Sequence, residues 1–461
     1  MQRSYTSLSL WLDSLPGDIT ARPALADDLE VDLVIVGAGY TGIWTAYYLK
    51  QLQPTLSIAI VEAEVAGFGA SGRNGGWCSS HLSGLDTWLD DETKRDDAIR
   101  LKRLMFDTVK QVGLVCEKEN IDCHYERSGA LEVAVLPVQL QRLQAEWRRL
   151  QELGFAEHEY RWLGQREVGE LFNIDKALAG IHLEHCAAIH PARLARGLAD
   201  HIESLGVQIF ENSPVQSVEE RSVRTAQGNV KADTVLLATE GYTANLKGHR
   251  YGHSLIPVHS MMVATEALNP EQLELIGFQK RCTFANYDRV TTYGQVTADN
   301  RIAFGCRGSY GFGSKIRHDF NPQDRDFELV RETLLRFFPA LKGIRFTHAW
   351  GGAMGVSRSL HPAIHFDRDS GFGWAGGFFG SGVAATHLAG QTLAELVCNQ
   401  NSERVDTPWV NPAYIQQGWE PEPLRWFGVH GTRRLMGVSD YFDYRGASFI
   451  GKALDALLPN L

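Results

Sequence analysis

Val31-Asp32-Leu33-Val34-Ile35-Val36-Gly37-Ala38-Gly39-Tyr40-Thr41-Gly42 is the stretch that decides the fold. Residues 31–36 are a short apolar run, rich in β-branched side chains, that stops at a glycine; this predicts a buried strand. Residues 40–52 then read as a helix, and Ile58-Ala59-Ile60-Val61 as a second strand running into Glu62 and Ala63. Strand, turn, helix and strand fit within residues 31–62, the size of a βαβ unit. The turn spells G-x-G-x-x-G. Alone that spacing is weak. Here it follows a strand, opens a helix, and has an acid 20 residues after its third glycine. Gly37 permits the tight turn, Gly39 lets backbone approach a pyrophosphate, and Gly42 lets the helix sit close to the strand. Tyr40 and Thr41 start the helix, whose first-turn N–H groups and partial positive charge suit a diphosphate. Glu62 can accept hydrogen bonds from both ribose hydroxyls and would repel a 2′-phosphate, which disfavours NADP.

Working outward, the chain of 461 residues is too long for one ordinary core and predicts two interleaved domains. Hydrophobic residues at 44% and charged residues at 22% are ordinary for a globular protein. The net charge of −10, with no long run of Lys and Arg, argues against a nucleic-acid partner. The seven cysteines form no CxxC, so neither a zinc site nor a disulfide framework is implied and no metal is expected. The N-terminus has no basic region followed by an apolar one, and no stretch of about 18 apolar residues occurs; the expectation is a cytoplasmic protein without a membrane span. Its oligomeric state is not legible.

Residues 1–30 read as an arm lying on the body, and 66–84 as a Gly/Ser loop. Helical spacing of apolar residues predicts helices over 98–117, 138–153 and 325–338, with another over 191–205 opened by Pro191. Strands are expected at 207–210, 215–219 and 235–239, and antiparallel strands within 255–265 and 284–306. Residues 372–384 repeat the theme of an apolar run ending in glycine, followed by a helix over 385–398. The last 60 residues read as an extension covering part of the body.

The glycine motif by itself does not separate FAD from NAD. Gly67-Phe68-Gly69-Ala70-Ser71-Gly72-Arg73-Asn74-Gly75-Gly76 does. This run resembles the second FAD-contacting segment of the D-amino-acid-oxidase superfamily, and is most similar to the branch of γ-glutamylputrescine oxidase and related amine oxidases. The resemblance extends along nearly the whole chain: Val215, expected at the adenine; Leu237-Ala238-Thr239-Glu240-Gly241, similar to the strand end of FAD proteins; and Gly376-Gly377-Phe378-Phe379-Gly380-Ser381-Gly382-Val383, which looks like the last FAD motif. It implies that small residues from 69 to 76, with Ser71 and Arg73, reach phosphate or flavin oxygens, and that the 377–383 loop lies at the pyrimidine end of the flavin. Where many relatives have His in that loop this chain has Ser381, and where many have an aromatic followed by Arg it has Tyr293-Gly294. Residues 348–364 contain no Cys, so non-covalent FAD is expected.

The fold implied is α/β, a Rossmann-type FAD-binding domain of glutathione-reductase-like βαβ type interleaved with an antiparallel-sheet α+β substrate domain. The expected partition is an N-terminal arm at 1–30; an FAD domain from 31–95, 155–245 and 345–400; a substrate domain from 96–154 and 246–344; and an extension at 401–461. The implied reaction is oxidation of a C–N bond in a small amine or amino acid by hydride transfer to flavin N5, with O2 or another acceptor taking the electrons. His259, Tyr293, Arg307 and Trp350 are the expected catalytic pocket residues, with Arg358 a further candidate. Arg307 could hold a carboxylate, phosphonate or amide oxygen bidentately. Two alternatives stand beside this reading: an FAD-dependent hydroxy-acid oxidoreductase, and a non-catalytic flavin-binding subunit of a larger complex.

Overall fold

The computed structural model describes residues 4–249 and 251–455. Two large sheets carry the molecule, one of eight strands and one of nine. In the first, Leu29–Val36 lies parallel between Ile58–Val61 and Asn229–Leu237. Phe372–Gly376 adds parallel to Asn229–Leu237, and Gln208–Phe210 parallel to Ile58–Val61. The inner strands are buried on both faces, which is why they read as unbroken apolar runs. Helix Tyr40–Leu52 comes after the first strand, and helix Gly382–Val397 after Phe372–Gly376. The two helices touch closely, since a Cβ on Gly390 would lie 2.7 Å from Trp44 Cβ.

The second sheet runs in the order Phe346–Trp350, Leu255–Thr265, Ile302–Tyr310, Thr292–Val296, Thr283–Asn286, Ala130–Ala134, Ala179–Leu183, Tyr160–Gly164. All its neighbours are antiparallel except Thr283–Asn286 with Ala130–Ala134. Leu255–Thr265 is buried throughout and is long enough to take both Phe346–Trp350 and Ala353–Ser357 along one edge.

Two expected boundaries move. Tyr160–Gly164 and Ala179–Leu183, expected with the first domain, pair in the second sheet instead. The segment from 345 likewise stays in the second sheet through Ser357, because its two strands form one antiparallel run interrupted only at Gly351-Gly352. The chain rejoins the first sheet at Ala363–Asp367. At the ends, Trp11 of the N-terminal arm is buried. Helix Leu424–Tyr444 lies against the second sheet, where its Asp440 and Asp443 receive Arg289, and helix Ser448–Asp455 packs back on it through Gly451.

Candidate functional site

The glycine turn after the first strand is set by local sterics. Gly37 has φ +104°, and a Cβ there would lie 2.7 Å from the Ala238 carbonyl oxygen. Gly42 faces the strand: its Cβ would fall 2.2 Å from Gly37 O. Gly39 is the N-cap of helix Tyr40–Leu52 and offers no side chain to the first-turn amides. Ser71 Oγ takes the Tyr40 amide at 2.9 Å, while those of Thr41 and Gly42 fall where no helical carbonyl reaches them. The chain has thus built an anion cradle, and a diphosphate fits it.

This cradle opens into a cleft of about 380 Å³ running between the two sheets. Of the expected cofactor residues, Gly37, Gly39, Tyr40, Thr41, Glu62 and Ala63 line its first part. Gly69, Ala70, Ser71, Asn74 and Gly75 form one wall, and Val215 and Thr239 another. Gly380, Gly382 and Val383 close the far end. Glu62 accepts the amides of Ala38 at 2.7 Å and Glu64 at 3.0 Å. Burial outweighs those bonds and pushes its pKa up to about 7.

The others stand behind the walls. Arg73 is fully buried; its Nε donates to Phe68 O at 2.8 Å and its guanidinium stacks on the Phe68 ring, so it braces the loop rather than reaching the cleft. Gly76 is fixed by Gln295, whose Nε2 lies 2.9–3.1 Å from the carbonyls of Gly75, Gly76 and Ile189. Gly241 sits against the Ala353 backbone, and Gly42 against the first strand. Gly377 donates its amide to Glu240, Ser381 Oγ lies 3.2 Å from Ser83 Oγ, and the Phe379 ring stacks beneath Arg307.

The four expected catalytic residues divide by strand parity. Along Leu255–Thr265, Ser260, Met262 and Ala264 face the cleft side, whereas Met261 and Val263 face the opposite core. His259 falls on that opposite side. Its Nδ1 is 3.2 Å from Ser309 O and its Nε2 accepts the Arg317 amide at 2.9 Å, so the ring is a buried neutral brace with its pKa lowered to about 4 by desolvation. Trp350 is also buried behind the glycine loop, donating Nε1 to Arg73 O at 2.9 Å and packing edge-on against Trp11. Arg358 pairs with Glu420 at the surface.

Tyr293 and Arg307 do meet the cleft region. Tyr293 pairs with Gly305, and Arg307 lies two residues further on the same face. Tyr293 lines the cleft against Gly75, where a Cβ would come within 2.5 Å of its ring, and burial pushes its hydroxyl up to about 12. Arg307 stands just past the cleft's end: a Cβ on Gly380 would lie 3.7 Å from its Nε. Its side chain is open to solvent, yet the protein around it lowers its pKa by desolvation; a residue at the bottom of a deep opening satisfies both. Among the described residues it stacks 4.6 Å over Phe379 and has no hydrogen-bonded or ionic partner.

Several contributors carried no local signal. Glu240 has φ +42° and accepts the amides of Gly355, Gly377 and Phe378 at 2.9–3.2 Å, tying the last glycine loop to the strand end; burial raises its pKa to about 7. Trp77 lines the cleft edge-on to Tyr293. His81 is held below its ordinary pKa by desolvation and by the charges of Lys102 and Arg307. Trp77 and Glu240 adjoin segments already placed at the site, but their partners, Tyr293 and the amides of Gly355, Gly377 and Phe378, come from distant parts of the chain. Among the described residues no set of His, Cys, Asp or Glu is gathered to hold a metal, and no helix is long and apolar enough to cross a membrane.

The comparisons agree with this geometry. The family model DAO, FAD dependent oxidoreductase, matches residues 32–396. The gamma-glutamylputrescine oxidoreductase of Escherichia coli (strain K12) is 31% identical over 390 residues, covering 83% of this chain and 87% of its own. A probable oxidoreductase, OrdL, of Haemophilus influenzae is 27% identical, covering 84% and 88%. Among solved structures, glycine oxidase from Geobacillus kaustophilus superposes with a TM-score of 0.68 at 19% identity, over 85% of this chain and all of that one. A match that starts at the first strand and runs through the last glycine loop spans every segment of the cradle, and the chain belongs to the DAO family of FAD-dependent oxidoreductases.

Proposed function

We propose that this protein oxidises a C–N bond in an amine or amino acid that carries an anionic group at its far end. The observation that carries the reading is Arg307, a cation with no partner among the described residues, on the sheet face that meets the flavin loops beside Tyr293. When bound, FAD would supply the two-electron acceptor for oxidation of the substrate C–N bond.

This chain's residues do the rest. Arg307 would hold a carboxylate or phosphonate bidentately and so orient the C–H bond. Its positive charge also disfavours a second cation nearby, which lowers the pKa of the substrate ammonium and raises the fraction of reactive neutral amine. Tyr293 and Trp77 wall the space and exclude water. The first-turn amides of helix Gly382–Val397, capped by no side chain, would favour the negative charge of a reduced flavin bound beside them. His259 and Trp350 act by positioning. The imine product hydrolyses to a carbonyl compound and an amine or ammonia, and O2 or another acceptor takes the electrons. The cradle's amides and the packing of the glycine loops would hold FAD, and among the described residues no cysteine lines the cleft. The relatives named as acting on gamma-glutamylputrescine and glycine support the substrate class.

The test is anaerobic mixing of the flavoprotein with amines and amino acids that carry or lack a carboxylate or phosphonate, with hydroxy acids as controls. The expected result is bleaching of the flavin band by an anionic amine. Bleaching by hydroxy acids alone, or by no candidate in a protein that dithionite does bleach, overturns the proposal.

A further inference from the structure

The C-terminal helices bury one face and leave another open. Inward, Asp440 and Asp443 bind Arg289, His430 Nε2 lies 2.9 Å from Tyr310 O, and Trp426 packs on the cluster of Val258, Tyr310 and Met354. Outward, Leu424 is 64% exposed, Phe427 62%, Tyr441 54% and Phe449, on the second helix, 76%. Val438 is exposed on the same face. The helical members are spaced by three, eleven and three residues, each close to a whole number of turns, so they form one stripe along the 21-residue helix Leu424–Tyr444. Phe312 continues it, because the adjacent Gly313 amide binds Glu422 just before the helix begins.

The polar residues between them share one sign. Arg434, Arg445 and Lys452 are exposed, and no described Asp or Glu of residues 424–454 shares that face, because Asp440 and Asp443 are turned inward. The two acids just before the helix are engaged, Glu420 by Arg358 and Glu422 by Tyr310. A chain with net charge −10 has therefore kept one face apolar and cationic.

That sign selects the occupant. A two-fold interface with a second copy would press this face against itself, with cations meeting cations and, among the described side chains of the two helices, no outward carboxylate to relieve them. The apolar side chains protrude singly and suit a fluid surface that closes around them. Aromatic and aliphatic residues flanked by Arg and Lys along a helix match the boundary of an anionic bilayer. We propose that the terminal helix pair docks this enzyme peripherally on an anionic lipid surface.

The test uses the full-length flavoprotein, sedimented with vesicles of phosphatidylcholine alone or mixed equally with phosphatidylglycerol. The wild type is expected to bind the mixed vesicles and not the neutral ones, and to be released by high salt. Both Phe427→Ser/Phe449→Ser and Arg434→Glu/Arg445→Glu should cut binding by about tenfold or more, with the flavin spectrum and turnover of soluble substrate unchanged. These side chains are exposed, so the variants should fold; if the apolar pair does not, the charge pair tests the same surface. Equal binding to both vesicles, no binding to either, or a wild-type dimer that Phe427→Ser/Phe449→Ser converts to monomer overturns the proposal.

Discussion

A carboxylate enclosed at the end of a strand holds its proton more tightly than one in water, and at Glu62 that proton competes with the cofactor. The folded pKa of about 7 lies above the ordinary carboxylate value, so the stability that Glu62 contributes to the cofactor-free protein is full below the ordinary value and is lost as pH rises through about 7. Ribose hydroxyls donate more strongly to the ionised form, so FAD binding favours loss of that proton. FAD affinity for apoprotein should therefore rise about tenfold between pH 6 and pH 8, and Glu62→Gln should bind more weakly with that rise abolished; titration of apoprotein by fluorescence quenching reads both. Glu62 was legible in the sequence because the βαβ unit is local and fixes its distance from the glycines. Arg307 was legible too, because alternation along a strand puts it on the face of Gly305. Its replacement by Met should raise KM for an anionic substrate about 10- to 100-fold while leaving kcat and an uncharged amine little changed in steady-state kinetics. His259 was misread for a reason of the same kind: the strand alternates, and it is Ser260 that reaches the cleft.

At the scale of elements, the glycine-rich loop from 67 to 76 has little side chain with which to hold itself. The rest of the fold supplies the grip: Gln295 from the second sheet, Trp11 Nε1 on Asn74 O at 2.7 Å from the N-terminal arm, and Trp350 on Arg73 O. None of these was readable in advance, since a glutamine in a strand and a tryptophan in an arm acquire their partners only when segments some 60 to 280 residues apart meet. Gln295→Leu would remove the amide that serves the Gly75 and Ile189 carbonyls, while Gly76 O keeps the Ile189 amide. The expected outcome is a loosened loop and a dissociation constant for FAD raised about tenfold, with the melting temperature of the apoprotein moving less than that of the holoprotein; calorimetry of both forms separates the two. Strands such as Ala130–Ala134 and Ala179–Leu183 escaped for the same physical reason. They are only five residues long, and their pairing is set across the sheet.

Across the whole molecule, the two sheets meet along the cleft and the terminal helices clamp the second of them from outside. The clamp turns on one cation. Arg289 Nη1 lies 2.6 Å from Asp443 and 3.1 Å from Asp440, and the amides of Arg289 and Val290 also point at Asp440. Both carboxylates are buried, at 8% and 5% exposure, so they depend on that charge. Arg142, at 3.5 Å, shares Asp443 with Arg289, whereas among the described residues Asp440 is paired with Arg289 alone. Arg289→Met should then cost about 3–5 kcal/mol, far more than the loss of a surface ion pair, because it leaves two buried carboxylates without their main countercharge. The loss belongs to the clamp rather than to the cradle. Hydrogen exchange should speed first in Leu424–Tyr444, whereas amides of the Leu29–Val36 strand, held between two parallel neighbours, stay protected. Adding Asp440→Asn and Asp443→Asn to Arg289→Met removes the stranded charge and should recover a large part of the stability. If the triple variant is no more stable than Arg289→Met alone, the clamp works through packing of the inner helix face and not through this charge cluster.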